Sequence, residues 1–157
     1  MKKGLKLFLA VLICECAGII GSLFTAPAIP GWYAGLTKSP LNPPDWVFAP
    51  VWTALYALMG IAAYLVYAHG AEKPEVQRAL SIFAAQLFLN VLWSIVFFGA
   101  HRILGGVIVI IGLWAMIVRT IWLFGRISKA AAWLLVPYIL WVSFATVLNI
   151  SLYVLNR

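Results

Sequence analysis

Acidic side chains are nearly missing from this chain: four Asp and Glu stand among 157 residues, against eleven Lys and Arg. Charged residues make up 10% of the total, where a soluble domain carries roughly 25%. That deficit excludes an ordinary water-soluble fold. Cysteine is scarce as well. Cys14 and Cys16 are too close together for a disulfide framework, and nothing completes a metal set with them. His69 and His101 each fall in a predicted loop and read as solvated residues rather than ligands. No serine has a visible histidine–acid pair, and no glycine-rich phosphate loop occurs. A metalloenzyme, a triad hydrolase and a nucleotide-binding protein are thereby disfavoured. No metal and no required cofactor are expected.

What remains is apolar and aromatic. Hydrophobic residues reach 65%, with eight tryptophans, and the formal charge is +7. On a soluble protein such a charge would suggest nucleic acid. Here the bases sit between long apolar runs, so membrane orientation explains them and no nucleic-acid partner is expected. A helix needs about 20 apolar residues to cross the hydrocarbon. Five segments qualify, at approximately 5–27, 46–68, 79–100, 103–125 and 130–155. Lys2, Lys3 and Lys6 resemble the basic region of a signal peptide. The apolar run behind them continues to Phe24, too far for a cleaved signal, so the first span is read as retained. The expectation is a single all-α membrane domain: a bundle of five transmembrane helices with a long ordered loop between helices 1 and 2.

With five spans, Lys2, Lys3, Lys6, Lys73, Arg78, Arg126 and Lys129 share one side of the membrane. Lys38, Arg102 and Arg157 occupy the other. The imbalance predicts a cytoplasmic N-terminus. The outer loop, 28–45, holds Pro30, Pro40, Pro43 and Pro44 with Gly31 and Gly35. Fixed φ angles stiffen such a loop. Trp32 and Tyr33 within it read either as interfacial aromatics or as part of a lid, and the prolines favour the lid.

Three spans carry stripes of large rings and polar groups. Phe48, Trp52 and Tyr56 share one helical face. Gln86, Asn90, Trp93 and Phe97 share another, and Tyr138, Trp141, Ala145 and Asn149 a third. Counting inward from the span ends at about 1.5 Å per residue, Trp52, Trp93, Asn90 and Ala145 lie in the outer half to the middle of the bilayer. Aromatic walls with a few polar groups are how small-molecule pockets are built. The plainer alternatives are interfacial anchoring, which suffices for Trp46 and Trp133, and hydrogen bonding between helices, which would suffice for Gln86 and Asn90. Glu15 and Arg119 are charges inside spans; they could pair, or Arg119 could snorkel outward. Ala17, Gly21 and Thr25, and beside them Gly18, Ser22 and Ala26, form small-residue faces for close contact within the bundle or in a dimer. Pro137 predicts a bend in span five.

Several of these residues together resemble a known family. The run Trp32-Tyr33, Lys38-Ser39-Pro40, Pro43-Pro44, Trp46 to Thr53, Leu55-Tyr56 and Met59-Gly60 is similar to the tryptophan-rich sensory protein/translocator protein (TspO/MBR) family, also called peripheral benzodiazepine receptors. Gln86-Leu87, Leu89-Asn90, Trp93 and Phe97-Phe98-Gly99 match its third helix. Pro137-Tyr138, Trp141, Phe144-Ala145-Thr146 and Leu148-Asn149 match its fifth. The resemblance implies a five-helix bundle, a homodimer, and a pocket under the first loop. It implies a receptor or sensor in the bacterial cell membrane that binds tetrapyrroles (protoporphyrin IX, haem) and benzodiazepine-type ligands. Ligand-binding positions would be Trp32, Phe48, Trp52, Tyr56, Asn90, Trp93, Tyr138, Trp141, Ala145 and Leu148. Light- and oxygen-dependent degradation of protoporphyrin, with porphyrin as substrate, would involve Trp52 and Trp141. The alternative is a transporter or exporter of porphyrins or sterol-like lipids, but neither an inverted repeat nor paired half-helices supports it. Two positions depart from the pattern. Leu41 stands where the family usually has a tryptophan, and Gly105 where animal members have one.

Overall fold

The structure is a computed structural model and describes residues 2–157. Among the described residues it is all-α, without a β-strand. Five helical stretches are long and apolar enough to cross a bilayer: Lys3–Tyr33, Asp45–Tyr67, Pro74–Gly99, Ile103–Ile127 and Lys129–Leu155. The chain is thus an integral membrane protein of five spans, as its apolar runs predict. Helices are the solution because lipid offers no partner to backbone N–H and C=O groups. Their α-helical parts are α1 (Lys3–Ala28), α2 (Phe48–Tyr67), α3 (Pro74–Ser94), α4 (Ile103–Ile127), α5 (Lys129–Leu134) and α6 (Val136–Leu155).

Proline decides where several of these end. The first span runs past residue 27, through Pro27 and Pro30, to Tyr33. It does so by widening into a π turn at Ile29–Tyr33, where the Ala34 N–H donates to the Ile29 carbonyl at 3.0 Å. A second π turn, Ile95–Gly99, closes the third span, with Ala100 N–H on the Ile95 carbonyl at 2.8 Å. The third span also begins earlier than its apolar run. Pro74 sits in its first turn, where the missing N–H costs nothing, and Glu75 complements the helix dipole. Span five is interrupted at one residue. Pro137 cannot donate to the Trp133 carbonyl, and the α-helical bonding lapses at Leu135, whose N–H turns to Ala132 and Trp133 while its backbone stays in the α region.

The connection 34–44 is short and tied at both ends. Tyr33 Oη donates to Asn42 Oδ1 at 2.9 Å, and the Lys38 ammonium lies 4.6 Å from the Tyr33 ring centre. Nearer the start of the connection, Asn156 grips Thr37 twice. Its Oδ1 accepts from the Thr37 N–H and its Nδ2 donates to the Thr37 carbonyl, each at 2.9 Å.

Around the bundle the spans follow the order first, second, fifth, fourth, third. α1 packs on α2 and α3, α3 on α4, α4 on α5 and α6, and α5 on α2. Because α2 meets α5 rather than α6, aromatic side chains fill the gap between α2 and α6. Trp52 lies 6.3 Å from Tyr138 and Phe48 lies 6.0 Å from Trp141, ring centre to ring centre. Lipid removes the hydrophobic drive for helix pairing, so close packing must replace it. Gly60 supplies it between α1 and α2. A Cβ there would overlap the Val11 Cα and lie 2.8 Å from the Val11 nitrogen, both rigid backbone. Gly60→Ala is therefore expected to destabilise the bundle by about 1–3 kcal/mol, the usual cost of overpacking. Gly112, with nothing within 4 Å of a built Cβ, should accept alanine without loss. Thermal unfolding of both variants in detergent checks the contrast.

Candidate functional site

A cavity of about 370 Å³ lies between α1, α2 and α3 at the loop end of the bundle. Small-molecule sites span roughly 300–1,000 Å³. One wall is α1, which recedes because its facing residues are small. Gly18 abuts the Tyr56 ring, and a Cβ at Gly21 would meet Ser94 Oγ at 3.1 Å. Ser22 and Ala26 continue that wall toward the loop. The opposite walls are aromatic. The Trp52 ring lies 5.6 Å from Tyr56 and 6.4 Å from Trp93, tilted by 31° and 34°. Trp93 in turn stacks on Phe97 at 5.7 Å and 7°. Tyr33 closes the loop end together with Phe98. The opening lies along the α1–α2 seam, where the lining residues Ile19, Ser22, Ala26, Ala49 and Thr53 are all exposed.

The aromatic wall is held by a buried relay of hydrogen bonds. Tyr56 Oη donates to Asn90 Oδ1 at 2.6 Å, and Asn90 Nδ2 donates to Tyr138 Oη at 2.8 Å. Tyr138 Oη donates to Gln86 Oε1 at 2.8 Å, and Gln86 Nε2 approaches the Met59 sulfur at 3.8 Å. A separate bond runs from Trp93 Nε1 to Asn149 Oδ1 at 3.1 Å. The side chains of α2, α3 and α6 are thereby fixed to one another in a region where an unpaired polar group is costly.

Phe48, Trp52, Tyr56, Asn90 and Trp93 are brought together on the cavity. The other predicted positions lie elsewhere. Trp32 is outside: its indole stacks on His101 at 4.5 Å and 12°, and meets Phe97 edge-on at 5.3 Å. His101 is exposed in the loop, as expected, with one face of its ring against Trp32. It adopts φ 55°, left-handed, at the turn between α3 and α4, and carries the Trp32 ring. Tyr138, Ala145 and Leu148 are buried on α6 and do not line the cavity; Tyr138 meets the Trp52 ring edge-on from that side. Trp141 touches Phe48 from behind, and its indole N–H is buried without a partner. Leu41 is 64% exposed and covers nothing.

The α1 wall was not predicted. Glu15, Gly18, Ser22 and Ala26 fall at helical spacing on one face and all line the cavity. The spacing of the small residues was visible, but it reads equally as a contact face. Glu15 and Arg119 do not pair. Glu15 lines the cavity, whereas Arg119 is exposed on α4 with its guanidinium 4.9 Å from the Trp122 ring. Among the described residues no group of three His, Cys, Asp or Glu could hold a metal ion.

Comparison with known proteins identifies the family. The model of the TspO/MBR family matches residues 10–155. The chain belongs to the TspO/MBR family. It is 45% identical over 155 residues to the tryptophan-rich protein TspO of Chlorobaculum tepidum, covering 99% of this chain and 98% of that one. It is 41% identical over 125 residues to the tryptophan-rich sensory protein of Cereibacter sphaeroides, covering 80% and 77%. The translocator protein of Homo sapiens is 36% identical over 131 residues, covering 83% and 78%. TspO/MBR membership places this chain among membrane proteins named as sensors and translocators. The aromatic cavity is the feature through which such a protein could take an apolar, planar ligand.

Two outcomes follow from the hydrogen-bond geometry. Asn90→Leu should cost about 1–3 kcal/mol, because it leaves the buried Tyr56 hydroxyl without its acceptor while Tyr138 keeps Gln86. Tyr138→Phe, which strands Asn90 Nδ2 and Gln86 Oε1, should cost at least as much. Detergent unfolding midpoints of the two variants test that order. Asn156→Ala should leave the bundle folded yet expose the Thr37 amide to hydrogen exchange at least about tenfold faster, since one directed bond of that kind is worth roughly 1–1.5 kcal/mol.

Proposed function

We propose that this protein is a membrane receptor or sensor that binds tetrapyrroles such as protoporphyrin IX or haem, and benzodiazepine-type ligands, in the cavity beneath the loop. The observation that carries the reading is the wall formed by Trp52, Tyr56 and Trp93 around a space of about 370 Å³. A flat macrocycle gains dispersion and stacking against such a wall. The Lys38 ammonium, held over the Tyr33 ring at the loop end, is placed to meet a propionate there. No protein cofactor is required, because the porphyrin absorbs the light and dioxygen serves as oxidant. In that reaction Trp52 would stand against the bound ring. Trp141, one ring behind Phe48, would act only after Phe48 moved aside.

An opening on the α1–α2 seam also suits a ligand drawn from the bilayer, and this favours a second reading as a carrier of porphyrins or sterol-like lipids. Flux across sealed liposomes separates carriage from binding. The distribution of bases supports a cytoplasmic N-terminus in a bacterial cell membrane, and the family supports a homodimer.

Irradiation of the purified protein with protoporphyrin IX, with and without oxygen, tests the leading reading. The expected result is quenching of tryptophan fluorescence on binding, then oxygen-dependent bleaching of the porphyrin. The Trp52→Phe/Trp141→Phe double variant should still bind and bleach roughly tenfold more slowly, the effect of about 1.4 kcal/mol on a barrier. Bleaching at the wild-type rate would remove both tryptophans from the reaction.

A further inference from the structure

The charge inside the cavity is opposite to that of the chain. The protein as a whole carries +7, yet the cavity is lined by two carboxylates, Glu15 and Asp45, and by no Lys, Arg or His. Asp45 is exposed at the start of the second span and meets water. Glu15 does not share that setting. It stands near the middle of the span Lys3–Tyr33, where a bare carboxylate is among the most expensive groups a membrane helix can carry. Three of the bases have aromatic partners outside the cavity wall or at its loop end. Lys6 lies 5.1 Å from the Tyr67 ring, Lys38 rests on Tyr33, and Arg119 rests on Trp122. From α2 the cavity presents Tyr56, and from α3 Asn90, whose hydrogen bonds are already directed to each other and to Tyr138.

We propose that Glu15 makes the inner end of the cavity a receptor for a protonated amine, so that the preferred ligand class is an aromatic cation with its ring on Trp52 and its ammonium on the Glu15 carboxylate. Desolvated in the span, the carboxylate gains a charge-assisted hydrogen bond from such a ligand. The ring of Tyr56 packs against Gly18, less than one turn from Glu15, so an aromatic side chain borders the same end of the cavity. A ligand carboxylate would be repelled from this end, so any propionate must point toward the loop. The proposal rests on the reading of this cavity as a ligand site.

Two matched probes test it: a naphthalene bearing a propylammonium arm and the same ring bearing a propionamide arm. Each is titrated calorimetrically into detergent-purified protein, with protoporphyrin IX titrated in parallel. Wild type should bind the ammonium probe roughly tenfold or more tightly than the amide, as one charge-assisted bond implies. Glu15→Gln should bring the two probes level and leave amide binding within about twofold of wild type. Equal binding of both probes by wild type, or a preference that survives in Glu15→Gln, overturns the proposal. Should that variant fail to fold, Ile19→Lys provides an internal ammonium one turn along the same wall, and a preference surviving there is equally decisive against it. An intact ammonium preference without protoporphyrin binding supports Glu15 and removes the tetrapyrrole reading. Tight protoporphyrin binding without the preference does the reverse.

Discussion

The relay from Tyr56 through Asn90 and Tyr138 to Gln86 is the constraint on which the rest of the arrangement depends. In water, hydroxyls and amides lost from such a chain would find solvent. Inside a bilayer they would find nothing, so the relay must be complete or the helices must separate. Because it is complete, α2, α3 and α6 cannot rotate independently, and the rings they carry keep fixed tilts. Trp52 and Trp93 then stand as a partition. α1, on one side of that partition, has small side chains and leaves a void; α6, on the other, packs solidly against it.

The contrast explains what the sequence could and could not reveal. Five apolar runs of sufficient length made five spans legible, since no other structure satisfies a backbone in lipid. The stripe of Phe48, Trp52 and Tyr56 and that of Gln86, Asn90, Trp93 and Phe97 are legible as inward faces; the first reaches the cavity whole, the second through Asn90 and Trp93. The stripe of Tyr138, Trp141, Ala145 and Asn149 lines no part of it; periodicity cannot tell a side chain that borders a space from one packed behind another. For a related reason, depth counting leaves open whether Glu15 and Arg119 pair. Depth fixes height in the membrane and leaves open the direction around the helix axis, and α1 and α4 are not neighbours in the bundle. The face of Gly18, Ser22 and Ala26 was seen as small; whether small means contact or cavity depends on the partner helix. At Gly60 and at Gly18 it means contact, and at Ser22 and Ala26 it means room.

Proline and aromatic residues divide the work at the loop end. Pro27 and Pro30 do not stop the first helix; they widen its last turn and carry Trp32 and Tyr33 over the bundle. Trp32 fastens this turn to His101, and Tyr33 closes the cavity below it. The loop is thus held by stacked rings before it begins, by the Asn156 amide at Thr37 and by the Tyr33 hydroxyl at Asn42.

Asn156 is separated from its partner Thr37 by 119 positions in the chain. Protein synthesis runs from N- to C-terminus, and each span enters the bilayer as it emerges. The loop is made early, between the first and second spans, but its clasp lies beyond the fifth. The two can meet only after all five spans have been made, so this one pair joins the first part of the bundle to the last.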